Sequence, residues 1–156
     1  MCGGALISNQ HVLTAAHCVD NTVTAADLLV YVGTHDRTDP DQVVSVSTIN
    51  INPTWTGSVY TGSDSAVLTL AEAINFTDTV RLYTCTGHCS AYNRFLSQVR
   101  PLCMSVDPGS SYAGQQAIAS GWGLDDNDDI PNNLRKVNVE IISNDKCRRT
   151  WPGVNE

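Results

Sequence analysis

The opening segment Cys2-Gly3-Gly4-Ala5-Leu6-Ile7-Ser8-Asn9-Gln10-His11-Val12-Leu13-Thr14-Ala15-Ala16-His17-Cys18 constrains this chain more than any other stretch of it. Apolar Ala5-Leu6-Ile7 and Val12-Leu13 flank the turn formers Ser8-Asn9-Gln10, which predicts two short strands joined by a tight turn. Small residues then carry the chain from Thr14 to His17, beside a second cysteine. The pattern delivers one histidine to the base of a hairpin, where its imidazole can be held in a single orientation, as a general base requires.

Composition narrows the class. With 156 residues, 42% of them apolar and 16% charged, the chain is globular in character and long enough for one core or two small ones. Sixteen acidic against nine basic side chains give a net charge of -7. That balance argues against a phosphate-binding surface, and so against nucleic acid or an anionic membrane as a partner. The six cysteines, Cys2, Cys18, Cys85, Cys89, Cys103 and Cys147, point to an oxidising compartment. Met1 runs directly into Cys2 with no basic or apolar leader pattern, and no stretch reaches membrane-spanning length. A secreted protein whose start lies upstream is the expectation.

Further along, Leu28-Leu29-Val30-Tyr31-Val32-Gly33 reads as a core strand stopped by glycine. A second strand is predicted over the run containing Val43, Val44, Val46, Ile49 and Ile51, closed by Asn52-Pro53. Asp64 opens a third, Asp-Ser-Ala-Val-Leu-Thr-Leu. Past the turn signal Asp107-Pro108-Gly109-Ser110, strands are expected over 115–120 and 134–142. The acidic stretch 125–129 reads as a solvated loop. Ser143 has the character of an N-cap for a short helix, Asn144 to Thr150. Of the other histidines, His11, His35 and His88 have no partner pattern, and Trp122 reads as a packing residue.

The blocks Cys-Gly-Gly-Ala-Leu-Ile-Ser at 2–8 and Leu-Thr-Ala-Ala-His-Cys at 13–18 resemble the catalytic-histidine segment of the trypsin/chymotrypsin family of serine proteases. Gly121-Trp122-Gly123 is similar to a tripeptide that the family carries after an early strand of its second barrel. The resemblance implies an all-β fold of two antiparallel Greek-key β-barrels, truncated here at both ends. Residues 1–76 would form the first barrel without its opening strand, 77–114 the connector, and 115–156 the beginning of the second barrel. It also implies roles: His17 as general base and acid, and Asp64 as its orienting carboxylate, in the chain order His, Asp, Ser. The third role is empty, because no Gly-Asp-Ser-Gly-Gly occurs among these residues. The family's oxyanion hole, specificity pocket and Ile/Val-Val-Gly-Gly amino terminus are missing as well, so the chain as written is expected to have no amidolytic activity.

Partners implied by the family are protein or peptide substrates and protease inhibitors, with no cofactor. Cys2 and Cys18 match a family disulfide, whereas Cys103 and Cys147 match family cysteines whose partners fall outside this chain. Calcium-binding relatives place a glutamate directly after the glycine found here as Gly33; Thr34 occupies that position, and no metal site is carried over. Two other readings compete with the enzyme: a noncatalytic protease homologue that keeps the barrels as a binding module, and a truncated product without function of its own.

Residues 81–99 contain no Asp or Glu, supply Cys85 and Cys89, and lie between a repeated dipeptide, Val80-Arg81 and Val99-Arg100. Deleting them leaves a sequence that resembles the family's inter-barrel connector, so a translated intron or an isoform-specific insertion is expected there. Three readings stand open for Cys85 and Cys89: a disulfide with each other, disulfides with Cys103 and Cys147, or with His88 a weak zinc pattern that lacks a second ligand pair. Asn75-Phe76-Thr77 is a glycosylation sequon.

Overall fold

The computed structural model describes residues 2–20, 23–75, 102, 104 and 111–152. Outside them lie the segment 81–99 with Cys85, His88 and Cys89, as well as Cys103, the turn at 107–110, and Phe76 and Thr77 of the sequon.

Among the described residues seven strands form two antiparallel sheets. Strands β1 (Ala5–Leu6), β2 (His11–Thr14), β3 (Leu29–Val32), β4 (Gln42–Ile51) and β5 (Ala66–Leu70) make a five-stranded sheet in the order β1-β2-β5-β4-β3. The opening hairpin pairs Ala5 with Leu13 and Leu6 with Val12. Its turn is closed by Ile7 N–H on His11 O and by the Ser8 hydroxyl, which accepts from the amides of Gln10 and His11. Gly4 is required beside it, since a Cβ there would stand 2.7 Å from Val12 Cγ1.

β5 lies at the centre of the sheet and shows the plainest alternation: Ala66, Leu68 and Leu70 are buried, with Val67 and Thr69 half-buried between them. The inward residues meet Val12, Ala16, Val19, Val32, Val46 and Ile74 in one apolar core. β4 reaches the same core from two registers. Val44 and Val46 face inward before a bulge, and Ile49 and Ile51 do so after it. The pairing jumps from Val46↔Leu70 to Thr48↔Thr69, which leaves Ser47 as the extra residue. Its hydroxyl donates to the carbonyls of Thr69 at 3.0 Å and Leu70 at 3.4 Å. β3 ends at Gly33, whose φ of +73° is open to glycine, and a Cβ there would meet that of Asp41 at 2.8 Å.

β6 (Gln116–Gly121) and β7 (Arg135–Glu140) form a separate ribbon, followed by α1 (Asn144–Thr150). Ser143 caps α1 by accepting from Lys146 N–H at 3.2 Å. Between β6 and β7 the acidic loop is a structured turn. Asp125 accepts the amides of Asn127 and Asp129 and pairs with Arg135 at 3.4 Å. Those hydrogen bonds hold its carboxyl below the usual aspartate range. Three acids remain to face solvent, so the sequence reading was right about exposure and missed the internal order.

The loop after β3 joins the two sheets. Asp36 bridges to Asn133, Leu134 N–H bonds His35 O at 2.7 Å, and Trp122 Nε1 donates to the same carbonyl at 3.2 Å. Trp122, expected only to pack, thus anchors the ribbon through the polar edge of its ring.

Leu70 is 1% exposed and Ile118 is 63% exposed. Leu70→Ala should therefore cost about 2–5 kcal/mol through lost transfer energy and the cavity left behind. Ile118→Ala should stay within about 0.5 kcal/mol. Urea unfolding midpoints of the two variants, followed by circular dichroism, measure the difference.

Candidate active site

The sheet brings together two residues that are far apart in sequence. β2 and β5 run antiparallel, and their last register pair is Thr14↔Ala66. The chain leaving β2 and the chain entering β5 therefore meet at one end of the sheet. Beyond Thr14, Ala15 is extended and Ala16–Cys18 form a single 3-10 turn. Ala16 is wholly buried and fixes that turn to the core, which leaves His17 on the outer side. Ahead of Ala66, Ser63 takes the left-handed conformation at φ 60° and turns Asp64 toward the histidine. Such a conformation costs a non-glycine residue on the order of 1 kcal/mol. The Ser63 hydroxyl, which accepts from Thr54 Oγ1 at 2.7 Å, helps hold it.

The Asp64 carboxylate grips His17 at two points. Oδ1 accepts the backbone N–H at 2.9 Å, and Oδ2 lies 2.7 Å from Nδ1 of the ring. Burial is the largest single influence on this carboxyl and pushes its pKa up. It is outweighed by the His17 backbone and ring hydrogen bonds, the attraction of the imidazole and the Ala16 amide, so Asp64 stays below the ordinary aspartate value. An ionised Asp64 selects the tautomer with the proton on Nδ1, which leaves the Nε2 lone pair free. Half of the imidazole's surface is exposed, against 23% for the carboxylate. The pair can accept a proton at Nε2 and stabilise the imidazolium that results.

A disulfide joins Cys2 to Cys18, with Cα atoms 6.1 Å apart. It ties the entry of the hairpin to the 3-10 turn that carries His17. Thr14 Oγ1 reinforces the same closure by donating to Gly3 O at 2.9 Å.

A family model described as Trypsin matches residues 1–156. The chain belongs to the trypsin family. This trypsin-family chain is 32% identical to mouse ovochymase-2 over 152 residues, covering 94% of itself and 22% of that protein. Bovine coagulation factor XI is 30% identical, with 95% and 21% covered, and human kallikrein-4 is 27% identical, with 96% and 50% covered. The fold matches that of neuropsin, a serine protease expressed in the limbic system of mouse brain, with a TM-score of 0.73 and 26% identity. That match covers 99% of this chain and 60% of neuropsin. The trypsin-family chain therefore spans half or less of the curated relatives' length. The architecture is mostly β with curled antiparallel sheets, as the sequence led us to expect.

His17 and Asp64 were singled out from sequence, and the structure places them in direct contact. Three features of the site had no such signal: the second hydrogen bond from the His17 backbone, the left-handed Ser63, and the 3.5 Å approach of His17 Nε2 to Cys18 Sγ. Each depends on the path of the backbone and not on residue type. Cys147, half-buried on α1, carries a free thiol.

The depressed Asp64 pKa carries a signed consequence. Its stabilisation is fully present above the unfolded aspartate value of about 3.9 and is lost as pH falls through the lower folded value. Carboxylate NMR should show Asp64 titrating below the ordinary aspartate value. Asp64→Asn should flatten the acid side of the stability profile, measured by urea unfolding between neutral pH and the acid limit.

Proposed function

We propose that this chain supplies the base half of a trypsin-type serine endopeptidase, with His17 as general base and acid and Asp64 as its orienting carboxylate. The observation that carries the reading is the two-point hold of Asp64 on His17, which takes up Nδ1 and leaves Nε2 outside the carboxylate's reach, with Cys18 Sγ 3.5 Å away. In the reaction, Nε2 takes the proton of a serine hydroxyl as that oxygen attacks a peptide carbonyl. The imidazolium, stabilised by Asp64, then returns the proton to the departing amine as the acyl-enzyme forms. Water repeats the cycle to release the acid.

The serine and its oxyanion-binding amides are not among these 156 residues, so the polypeptide of this sequence is inactive in our reading. In this reading residues 1–76 are the first barrel, 77–114 the connector with the insertion at 81–99, and 115–156 the start of the second barrel. Secretion fits the Cys2–Cys18 disulfide. Among the described residues no helix is long and apolar enough to cross a membrane. Protein or peptide substrates and protease inhibitors follow as partners.

The test has two parts. The polypeptide of 156 residues should show neither turnover of peptide amides nor labelling by a serine-directed phosphonate. A full-length product carrying Gly-Asp-Ser-Gly-Gly should show both, and His17→Ala in it should lower kcat by about 10⁴–10⁶. A full transcript with another residue in place of that serine would replace the enzyme by a noncatalytic binding homologue.

A further inference from the structure

We propose that Cys2, Cys18 and His17 form a redox-gated site for a thiolate-preferring divalent cation of the zinc type, closed while the disulfide is intact and opened by its reduction. The proposal rests on the positions of three side chains and does not require that the chain be part of a protease. Among the described residues these are the three that bring ligand atoms together: both sulfurs and a ring nitrogen lie within 4.8 Å of one another.

One of the three spacings is already that of a tetrahedral site, and the two sulfurs, 2.04 Å apart in the disulfide, separate to about 3.8 Å once reduced and bound. Zinc takes sulfur at roughly 2.3 Å and imidazole nitrogen at roughly 2.0–2.1 Å, so two such ligands at the tetrahedral angle stand about 3.5 Å apart. Cys18 Sγ and His17 Nε2 are 3.5 Å apart. The outer partner of a zinc histidine is also present. A metal-bound imidazole ordinarily donates its other N–H to a carboxylate, which fixes the tautomer and raises the basicity of the ligating nitrogen. Asp64 Oδ2 lies 2.7 Å from Nδ1, and Nε2 approaches Cys18 Sγ to 3.5 Å.

Access and retention both favour the site. Cys2 and His17 are exposed, so a reductant and an ion can reach them. After reduction the sulfurs stay close, because Cys18 sits in a turn pinned by buried Ala16. Cys2 is carried by a segment held through Gly3 O to Thr14 and by the packing of Gly4 on Val12.

The chemistry balances in two steps. A trialkylphosphine and one water convert the disulfide to two thiols and a phosphine oxide; the S–S bond takes up two electrons, and phosphorus is oxidised by two. The cation then displaces both thiol protons to solvent and binds two thiolates and one neutral imidazole. The assembly has no net charge, and a fourth position remains for water. While the ion is bound, Nε2 cannot accept a proton.

Cobalt(II) is the probe, because its tetrahedral thiolate complexes absorb in the visible and give a thiolate charge-transfer band. The full chain carries Cys85→Ser, Cys89→Ser, Cys103→Ser and Cys147→Ser, so that only this cluster can supply thiolate. Phosphine-reduced protein should bind one cobalt with both signals, zinc should displace it, and the oxidised protein should show neither. Asp64→Asn, which keeps all three ligands, should weaken binding by about ten- to a hundredfold, and His17→Ala should remove the nitrogen shell seen by zinc X-ray absorption. Equal cobalt affinity of oxidised and reduced protein overturns the proposal. So does a sulfur-only shell in the parent, or loss of the β-sheet dichroism on reduction before metal is added.

Discussion

The register of β2 against β5 is the constraint on which the rest of this chain depends. The pairing that sets Val12 opposite Leu68 and Thr14 opposite Ala66 puts the buried faces of both strands on one side. It also fixes where the chain emerges toward His17 and where it arrives from Asp64. A slip of one residue would turn Leu68 and Leu70 to the opposite face and shift the two catalytic-type residues by about 3.3 Å relative to each other. The magnitudes decide which feature governs. Each buried Val or Leu contributes about 1.5–3 kcal/mol, whereas a typical hydrogen bond contributes about 1 kcal/mol net. The His17–Asp64 pair is therefore a consequence of the core, and the core does not depend on the pair.

The same logic separates what could be read in the sequence from what could not. β5 was legible as a run opened by Asp64 and apolar at Val67, Leu68 and Leu70, and the structure adds that Ala66, Leu68 and Leu70 are the parity that faces the core. β4 was legible as a strand but not in register, since Val44 and Val46 have one parity and Ile49 and Ile51 the other. Only the bulge at Ser47 reconciles them, and a serine in a β-rich run gives no warning of it. The helix Asn144–Thr150 was legible to the residue because its cap is a local hydrogen bond between Ser143 and Lys146. The 3-10 turn Ala25–Asp27 was overlooked within a polar stretch. Its signal was present in Thr24 and Asp27, which close a reciprocal capping box. Cross-sheet contacts such as Trp122 to His35 were beyond reach, being set by the loop path between distant segments.

At the site, residue identity was legible and geometry was not. Sequence named His17 and Asp64 through the resemblance of their segments to the trypsin/chymotrypsin family, in the chain order His, Asp. It could not indicate that one carboxylate would bind both the ring and the main chain of the same residue. That double hold matters physically. A ring held only through Nδ1 can swing about its Cα–Cβ bond, whereas anchoring the backbone amide as well fixes the pivot and leaves Nε2 pointing in one direction.

The features that make Nε2 a good base also make it a good ligand. Both roles need a lone pair on Nε2, a proton kept on Nδ1 by an ionised carboxylate, and a ring that does not rotate. What separates the roles in this chain is the oxidation state of the neighbouring sulfurs. A disulfide sulfur is a poor donor and leaves Nε2 to accept protons, while a thiolate pair at the same distance turns the ring into the third arm of a chelate. Cys2–Cys18 thus has two physical consequences. It constrains the hairpin that carries His17, and in the proposed reading it leaves the lone pair on that histidine to proton transfer.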